Sequence, residues 1–309
     1  MRILVTGVSG QVGGALVPRL QSLGTVLAAD RKQLDLSRPA TIPDELERLA
    51  PNLIINAAAY TAVDQAEDER DLAFTVNAEG PGVMATWAAV RDIPFVQLST
   101  DYVFDGSGDR PWREDDPTGP LSVYGESKRA GEKAVQAASG AHLIVRTSWV
   151  YAAEGNNFLR TIARIARERA ELRVVHDQVG APTSAALIAD ILGRIVAADA
   201  TTLASRFATA GGITHLAASG CTSWCGFATA IVEGLRARGG DIKTERVIPI
   251  RTGEYPTKAV RPRNSRLDLT RLREVFGVAP VPWVSALAQE LDQLRSRPEP
   301  VPVHANRHQ

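Results

Sequence analysis

The chain has 309 residues, 44% of them hydrophobic and 23% charged, which is too apolar for disorder and enough for a large sheet-centred domain with a smaller lobe. Its 35 basic and 35 acidic residues leave a formal net charge of zero, so no global charge points to nucleic acid or to an anionic membrane. No apolar run approaches the roughly 18 residues of a membrane span. The start MRILVTG lacks a basic n-region and an adequate h-region, so it reads as a first strand and the expected location is the cytoplasm. Cys221 and Cys225 have no second Cys or His pair beside them to complete a zinc site; two free thiols are expected.

Arg2 to Thr6 is an apolar run of strand type, followed by a glycine loop from Gly7 to Gly14 and a helical pattern from Ala15 to Leu23. Gly7, Gly10 and Gly13 are spaced G-x-x-G-x-x-G, which lets the backbone turn tightly and approach a pyrophosphate at a helix N-terminus. A second strand, Val26 to Ala29, ends at Asp30, an acid about 20 positions after the loop, where a ribose would be held. Arg31 could pair with the extra phosphate of NADPH, while Asp30 would tend to repel it; the cofactor expected is NADPH, with NADH as the alternative. Asp35 and Leu36 lie where a segment could cover the adenine, or form a plain loop. Asp44 to Leu49 reads as a helix, and Leu53 to Asn56 as a buried strand running into Ala57, Ala58, Ala59, Tyr60 and Thr61. Small residues there allow a cofactor to lie close over the backbone, though close packing uses alanine equally well. Gln65 to Trp87 reads as mostly helical, with Asn77 inside it as a structural residue bracing the next strand.

The strand Pro94 to Leu98 delivers Ser99, Thr100 and Asp101 to the sheet's carboxyl end, where Thr100 could hydrogen-bond a reacting oxygen. After a loop from Pro111 to Pro120 comes Ser122-Val-Tyr-Gly-Glu-Ser-Lys128, with a helix expected from Gly125 to Ala138. Tyr124 and Lys128 are four apart and project from one helix face. A phenol titrates near ~10, and a neighbouring ammonium lowers that value, so the pair suits proton transfer to or from a ketone oxygen. Alone, Tyr-x-x-x-Lys is weak, because any long helix can carry it by chance. His142 to Thr147 is read as the sixth strand, left by Ser148-Trp149-Val150-Tyr151.

This alternation implies an α/β fold, a Rossmann-type doubly wound parallel sheet over residues 1–150. Residues 151–295 then form a smaller C-terminal α/β substrate lobe interwoven with it, and 296–309 a disordered tail whose His304 and His308 bind no metal. Within the lobe, Asn156 to Phe158 opens a helix from Leu159 to Arg167, Val174-Val175 is extended, and helices run from Ala185 to Ala197 and Trp224 to Arg236. Strands are expected at Gly212 to Ala217 and Arg246 to Ile250, and a last helix from Val284 to Leu294. Arg261 and Arg263, in the loop from Arg251 to Ser265, could clamp a diphosphate or form a solvated basic loop.

Taken in order, Gly7-x-x-Gly10-x-x-Gly13, Asp30, Asn56-Ala57-Ala58-Ala59, Ser99 to Gly106, Tyr124-x-x-x-Lys128 and Arg146 to Tyr151 are far more specific than any one of them. The set resembles the extended short-chain dehydrogenase/reductases, and among them the dTDP-4-dehydrorhamnose reductase family. The blocks Gly155 to Phe158, Asp177 to Thr183 and Arg261 to Ser265 are similar to that family too, and the resemblance covers about residues 1–295. It implies hydride transfer to the C4 ketone of dTDP-4-dehydro-L-rhamnose, with a nucleotide sugar as the partner. Tyr124 would then donate the proton, Lys128 would tune it and hold the nicotinamide ribose, and Thr100 with Asp101 would contact the sugar. Trp149 would line the sugar site, and Asn157, Arg261 and Asn264 would lie near the nucleotide. Gly10, Gln11, Val12, Asp30, Asp35, Leu36, Ala59, Tyr60 and Thr61 would hold the cofactor. Some similar proteins form dimers bridged by magnesium through two glutamates; here those places are Ala15 and Ala186, and methyl groups cannot ligate a hard cation. No metal is therefore expected, and the chain is read as a monomer or weak homodimer. The alternatives are another nucleotide-sugar reductase or epimerase of the superfamily, or a non-catalytic NADP-binding regulatory subunit. Dehydration is disfavoured because Asp101 is followed by Tyr102 where dehydratases commonly place a glutamate.

Overall fold

Strands covered on both faces read as unbroken apolar runs, and Leu53–Asn56 and Phe95–Thr100 are buried at every position. A computed structural model describes residues 1–138 and 140–296; the expected tail, apart from residue 296, lies outside the described residues. β1 (Arg2–Thr6) feeds α1 (Gln11–Leu20), and β2 (Thr25–Ala29) pairs parallel with β1. α2 (Ile42–Leu49) carries the chain across to β3 (Leu53–Asn56) on the other side of β1. Next come α3 (Arg70–Phe74) and α4 (Gly80–Ala89), joined through a wider π turn at Thr75–Glu79. β4 (Phe95–Thr100), α5 (Val123–Ala137) and β5 (His142–Thr147) continue the alternation. Helix α5 begins two residues earlier than its sequence suggests, because the Ser122 hydroxyl accepts the Gly125 N–H at 3.2 Å and caps it.

Beyond it follow β6 (Val150–Tyr151), α6 (Phe158–Ile165), β7 (Glu171–Val175), β8 (Val179–Gly180), β9 (Thr183–Ser184), α7 (Ala185–Ile195) and α8 (Ala200–Ala210). The chain closes with β10 (Gly212–His215), β11 (Thr222–Ser223), α9 (Trp224–Ala237), β12 (Arg246–Ile250), β13 (Asn264–Ser265), α10 (Thr270–Phe276) and α11 (Trp283–Ser296). Two of these helices have no counterpart in the sequence reading. α8 buries only Leu203 and Phe207, and α10 only Leu272 and Phe276, too few apolar positions to announce a helical period.

The main sheet runs β10-β5-β4-β3-β1-β2, with every pair parallel. β5 is fifth in chain order, not sixth; the sixth strand of the sheet is β10, which comes from the segment assigned to the lobe. One face packs Ile3, Val5 and Val145 against α1, α7 and α8, and the other packs Leu4, Ile54 and Ile144 against α2, α4 and α5. A separate core around Tyr151, Leu159, Phe227 and Leu287 holds α6, α9 and α11 together. The order of strands reverses between β1 and β3, and a crevice opens there at their carboxyl ends.

Candidate active site

Glycine shapes the floor of that crevice. Gly7 sits at φ +65°, a conformation that favours glycine, and a Cβ on it would come within 2.7 Å of the Ala58 backbone. A Cβ on Gly13 would lie 2.2 Å from the Gly7 carbonyl oxygen, so the loop folds onto its own helix with no room for a side chain. Gly10 precedes α1 and offers no capping side chain, leaving the first-turn N–H groups for an anion. The Gln11 Oε1 atom is buried without a partner at this same turn. A cavity of 1270 Å³ runs from here past the ends of β1, β3 and β4. Its wall includes Gly7, Gly10, Gln11 and Val12 at one part, Arg31, Asp35 and Leu36 at another, and Ala58, Ala59, Tyr60 and Thr61 between.

Two expected cofactor residues are off this wall. Asp30 turns Oδ1 back on its own chain, accepting the N–H groups of Lys32 and Gln33 at 2.8 and 3.2 Å. Ala57 is partly buried and packs against the core beside the Gly7 turn. Asp35 remains below its ordinary carboxyl range because, although burial works against it, Ser37 and Arg31 hydrogen-bond its charged form.

Asn77 braces a loop rather than the next strand. Its Oδ1 accepts the Tyr60 N–H at 2.8 Å, and its Nδ2 donates to the Tyr60 carbonyl and to Ser127 Oγ at 3.0 and 2.9 Å. The π turn that carries it therefore pins the segment after β3 to α5, the helix that bears Tyr124 and Lys128.

At the end of β4 the Thr100 hydroxyl donates to Asp101 Oδ1 at 3.1 Å and shares a hydrogen bond with the Tyr124 phenol. Thr100, Asp101, Tyr124, Lys128 and Trp149 all face the cavity. Lys128 is 4% exposed and donates to the Leu98 carbonyl at 2.7 Å. Burial, helped by the Asp101 carboxylate and opposed by Thr100, pushes Tyr124 up to about 12. Burial also pushes Lys128 down to about 8, against the pull of Glu132. Asp101 is raised to about 6, again by burial, although Ser265 and Thr100 hydrogen-bond it. Trp149 occupies the left-handed region at φ +49° and stacks on Trp224 with centroids 3.7 Å apart. Gly180 makes this fit, since a Cβ there would meet the Trp149 indole at 2.6 Å.

The three residues expected near the nucleotide separate. Asn157 lines the cavity, yet its Nδ2 donates to the Ala152 and Glu154 carbonyls and its Oδ1 caps α6, so the amide closes a loop. Arg261 is off the wall, paired through Nη2 with Asp64 at 2.5 Å. Asn264 is a correction: it is 3% exposed, donates to the carbonyls of Ser107 and Arg110, and accepts twice from Arg266. Ala15 on α1 and Ala186 on α7 both line the cavity. Sequence reasoning passed over Glu290 of α11, on the same wall and 2% exposed, and Trp224 behind Trp149. It also missed the buried Glu132, whose spacing of four from Lys128 was the available signal.

A glycine turn after the first strand, a hydroxyl closing the fourth, and a Tyr-Lys pair on the next helix define an extended short-chain dehydrogenase/reductase. Over residues 1–296 the chain matches the family described as RmlD substrate binding domain, and it belongs to that family. It is 46% identical over 289 residues to a dTDP-4-dehydrorhamnose reductase of Burkholderia thailandensis, covering 92% of this chain and 95% of that one. Among solved structures, the fold is similar to a dTDP-4-dehydrorhamnose reductase of Clostridium acetobutylicum, with TM-score 0.86 and 36% identity over 96% of this chain and 100% of that one. It is similar also to the enzyme of that name from Bacillus anthracis in complex with NADP, with TM-score 0.85 and 33% identity over 94% and 99% of the two chains.

Proposed function

We propose that this chain is a dTDP-4-dehydrorhamnose reductase, reducing the C4 ketone of dTDP-4-dehydro-L-rhamnose to give dTDP-L-rhamnose with NADPH. The observation that carries the reading is the convergence of Thr100, Tyr124 and Lys128 on one cavity with the glycine loop, in a chain whose relatives bear that name along nearly their whole length. The residues present suit the cofactor: the open first turn of α1 and the Arg31 guanidinium are donors that a dinucleotide's phosphates would satisfy, and the unpartnered Gln11 Oε1 is an acceptor that a ribose hydroxyl would satisfy. Gly7, Gly10, Gln11 and Val12 would hold the pyrophosphate, Arg31 the extra phosphate, Asp35 and Leu36 the adenine, and Ala58 to Thr61 the strand-side face. When bound, NADPH supplies the hydride.

Everything else falls to the side chains. A phenol held near 12 keeps its proton at neutral pH, which suits Tyr124 to give it to a developing alkoxide. The phenolate left behind is a buried anion, and the Lys128 ammonium one turn along α5 offsets its cost. Thr100 orients the ketone oxygen beside Tyr124, and Trp149 with Asp101 shapes the sugar site. Asn264 is not assigned to the nucleotide, because its amide is committed to the 107–110 loop and to Arg266, whereas Arg261 gives Nη2 to Asp64 and keeps Nη1 buried without a partner, a donor that a diphosphate would satisfy. The same reading places the protein in the cytoplasm as a monomer or weak homodimer, supported by free thiols at Cys221 and Cys225. Cell fractionation and analytical sedimentation test both points.

The deciding measurement is NADPH consumption with dTDP-4-dehydro-L-rhamnose. None by the unmodified protein ends the reductase reading. Tyr124→Phe is expected to lower kcat roughly 10²–10⁴-fold, the usual worth of a positioned acid. An unchanged rate rejects Tyr124 as the donor.

A further inference from the structure

Resting on the reductase reading above, we propose that Glu132 is a positioning residue for the reduction: locked behind Lys128 by Ser99 and Arg146, its carboxylate keeps that lysine charged and sets the upper pH limit of the site.

Lys128 and Glu132 are one turn apart on α5 and are 4% and 2% exposed. Glu132 Oε1 accepts from Ser99 Oγ at 2.6 Å and from Arg146 Nε at 2.9 Å, and Oε2 accepts from Arg146 Nη2 at 2.7 Å. Arg146, brought by β5, lies with its guanidinium 4.9 Å over the Phe104 ring and is itself 2% exposed. Two cations and one carboxylate thus share one water-poor patch beneath the catalytic strand end. Without the carboxylate, two positive charges would be buried together, which is costly. Arginine does not give up its proton in proteins, so the group that yields is the lysine.

Other charges around α5 are engaged elsewhere. Arg70 pairs with Glu126, Glu67 accepts the Val123 N–H, and His142 bonds the Gly140 carbonyl. Asp71 and Glu79 are exposed, and Asp101 acts on Tyr102 and Tyr124. On α5 itself, Arg129 and Lys133 lie about 100° and 140° round the helix from Lys128. The charge that acts on Lys128 is that of Glu132, opposing the burial that pulls the lysine down.

The test is the pH profile of kcat/KM for the unmodified protein, Glu132→Gln and Glu132→Asp. Glu132→Gln is expected to move the alkaline limb down by about one pH unit, a tenfold change in proton affinity, and Glu132→Asp to return it towards the parent's position. A limb that stays in place while activity falls equally at every pH would overturn the proposal. Should Glu132→Gln fail to fold, Arg146→Gln is the converse variant: it removes the second cation, leaves the carboxylate to Lys128 alone, and is expected to move the limb up, while a limb that stays or falls would overturn the proposal. The pH dependence of NADPH binding, measured without any sugar, gives a second readout with the same expected displacement. If the unmodified protein turns over no sugar, the reductase reading falls while the binding curves still decide the role of Glu132.

Discussion

Asp101 illustrates how burial alone sets the state of a group in this site. It is 2% exposed, and burial raises its carboxyl from an ordinary value near 3.8 to about 6. The folded protein therefore binds this proton more tightly than the unfolded chain. Its contribution to stability is full below the unfolded value and is lost as the pH rises through about 6. Asparagine, neutral throughout, should escape that loss. Asp101→Asn is expected to melt above the parent at pH 8 and to lose the advantage by pH 4; an advantage equal at both would show that the charge is not its source. The same burial keeps the Tyr124 phenol protonated at neutral pH, a direction that the Tyr-x-x-x-Lys spacing does not reveal.

At the level of elements, the glycine turn and α5 were legible because their requirements are local: backbone room for one, helical spacing for the other. Gly13→Ala tests the first. Its new methyl would collide with the Gly7 carbonyl, and overpacking of that kind costs about 1–3 kcal/mol. NADPH affinity, followed by fluorescence titration, should fall roughly tenfold to a hundredfold while the far-ultraviolet circular dichroism stays the same. What the sequence hid is tertiary. Asn264 reads as a substrate residue from its motif, while its amide hydrogen bonds all lie inside the protein, to Ser107, Arg110 and Arg266. The partner of Trp149 lies 75 residues away on α9, and no spacing rule connects them (224 − 149 = 75).

At the level of the whole molecule, α1 and α7 meet along the cavity and present Ala15 and Ala186 there, methyl groups that cannot ligate a hard cation. Activity is accordingly expected to be the same in excess EDTA as in millimolar magnesium, with an unchanged sedimentation coefficient. A drop in either on chelation would show that other groups hold a metal. The parallel pairing of β10 with β5 has a consequence for how such proteins can be recombined. A chain ended near residue 150 would lose β10 and turn β5, an inner strand, into a new edge of unpaired N–H and C=O groups. The cofactor half is thus no cassette that can be moved onto another substrate half. Changing which sugar is reduced would have to proceed by grafting loops, such as 152–157 beside the glycine turn, onto a sheet that both halves of the chain hold in common.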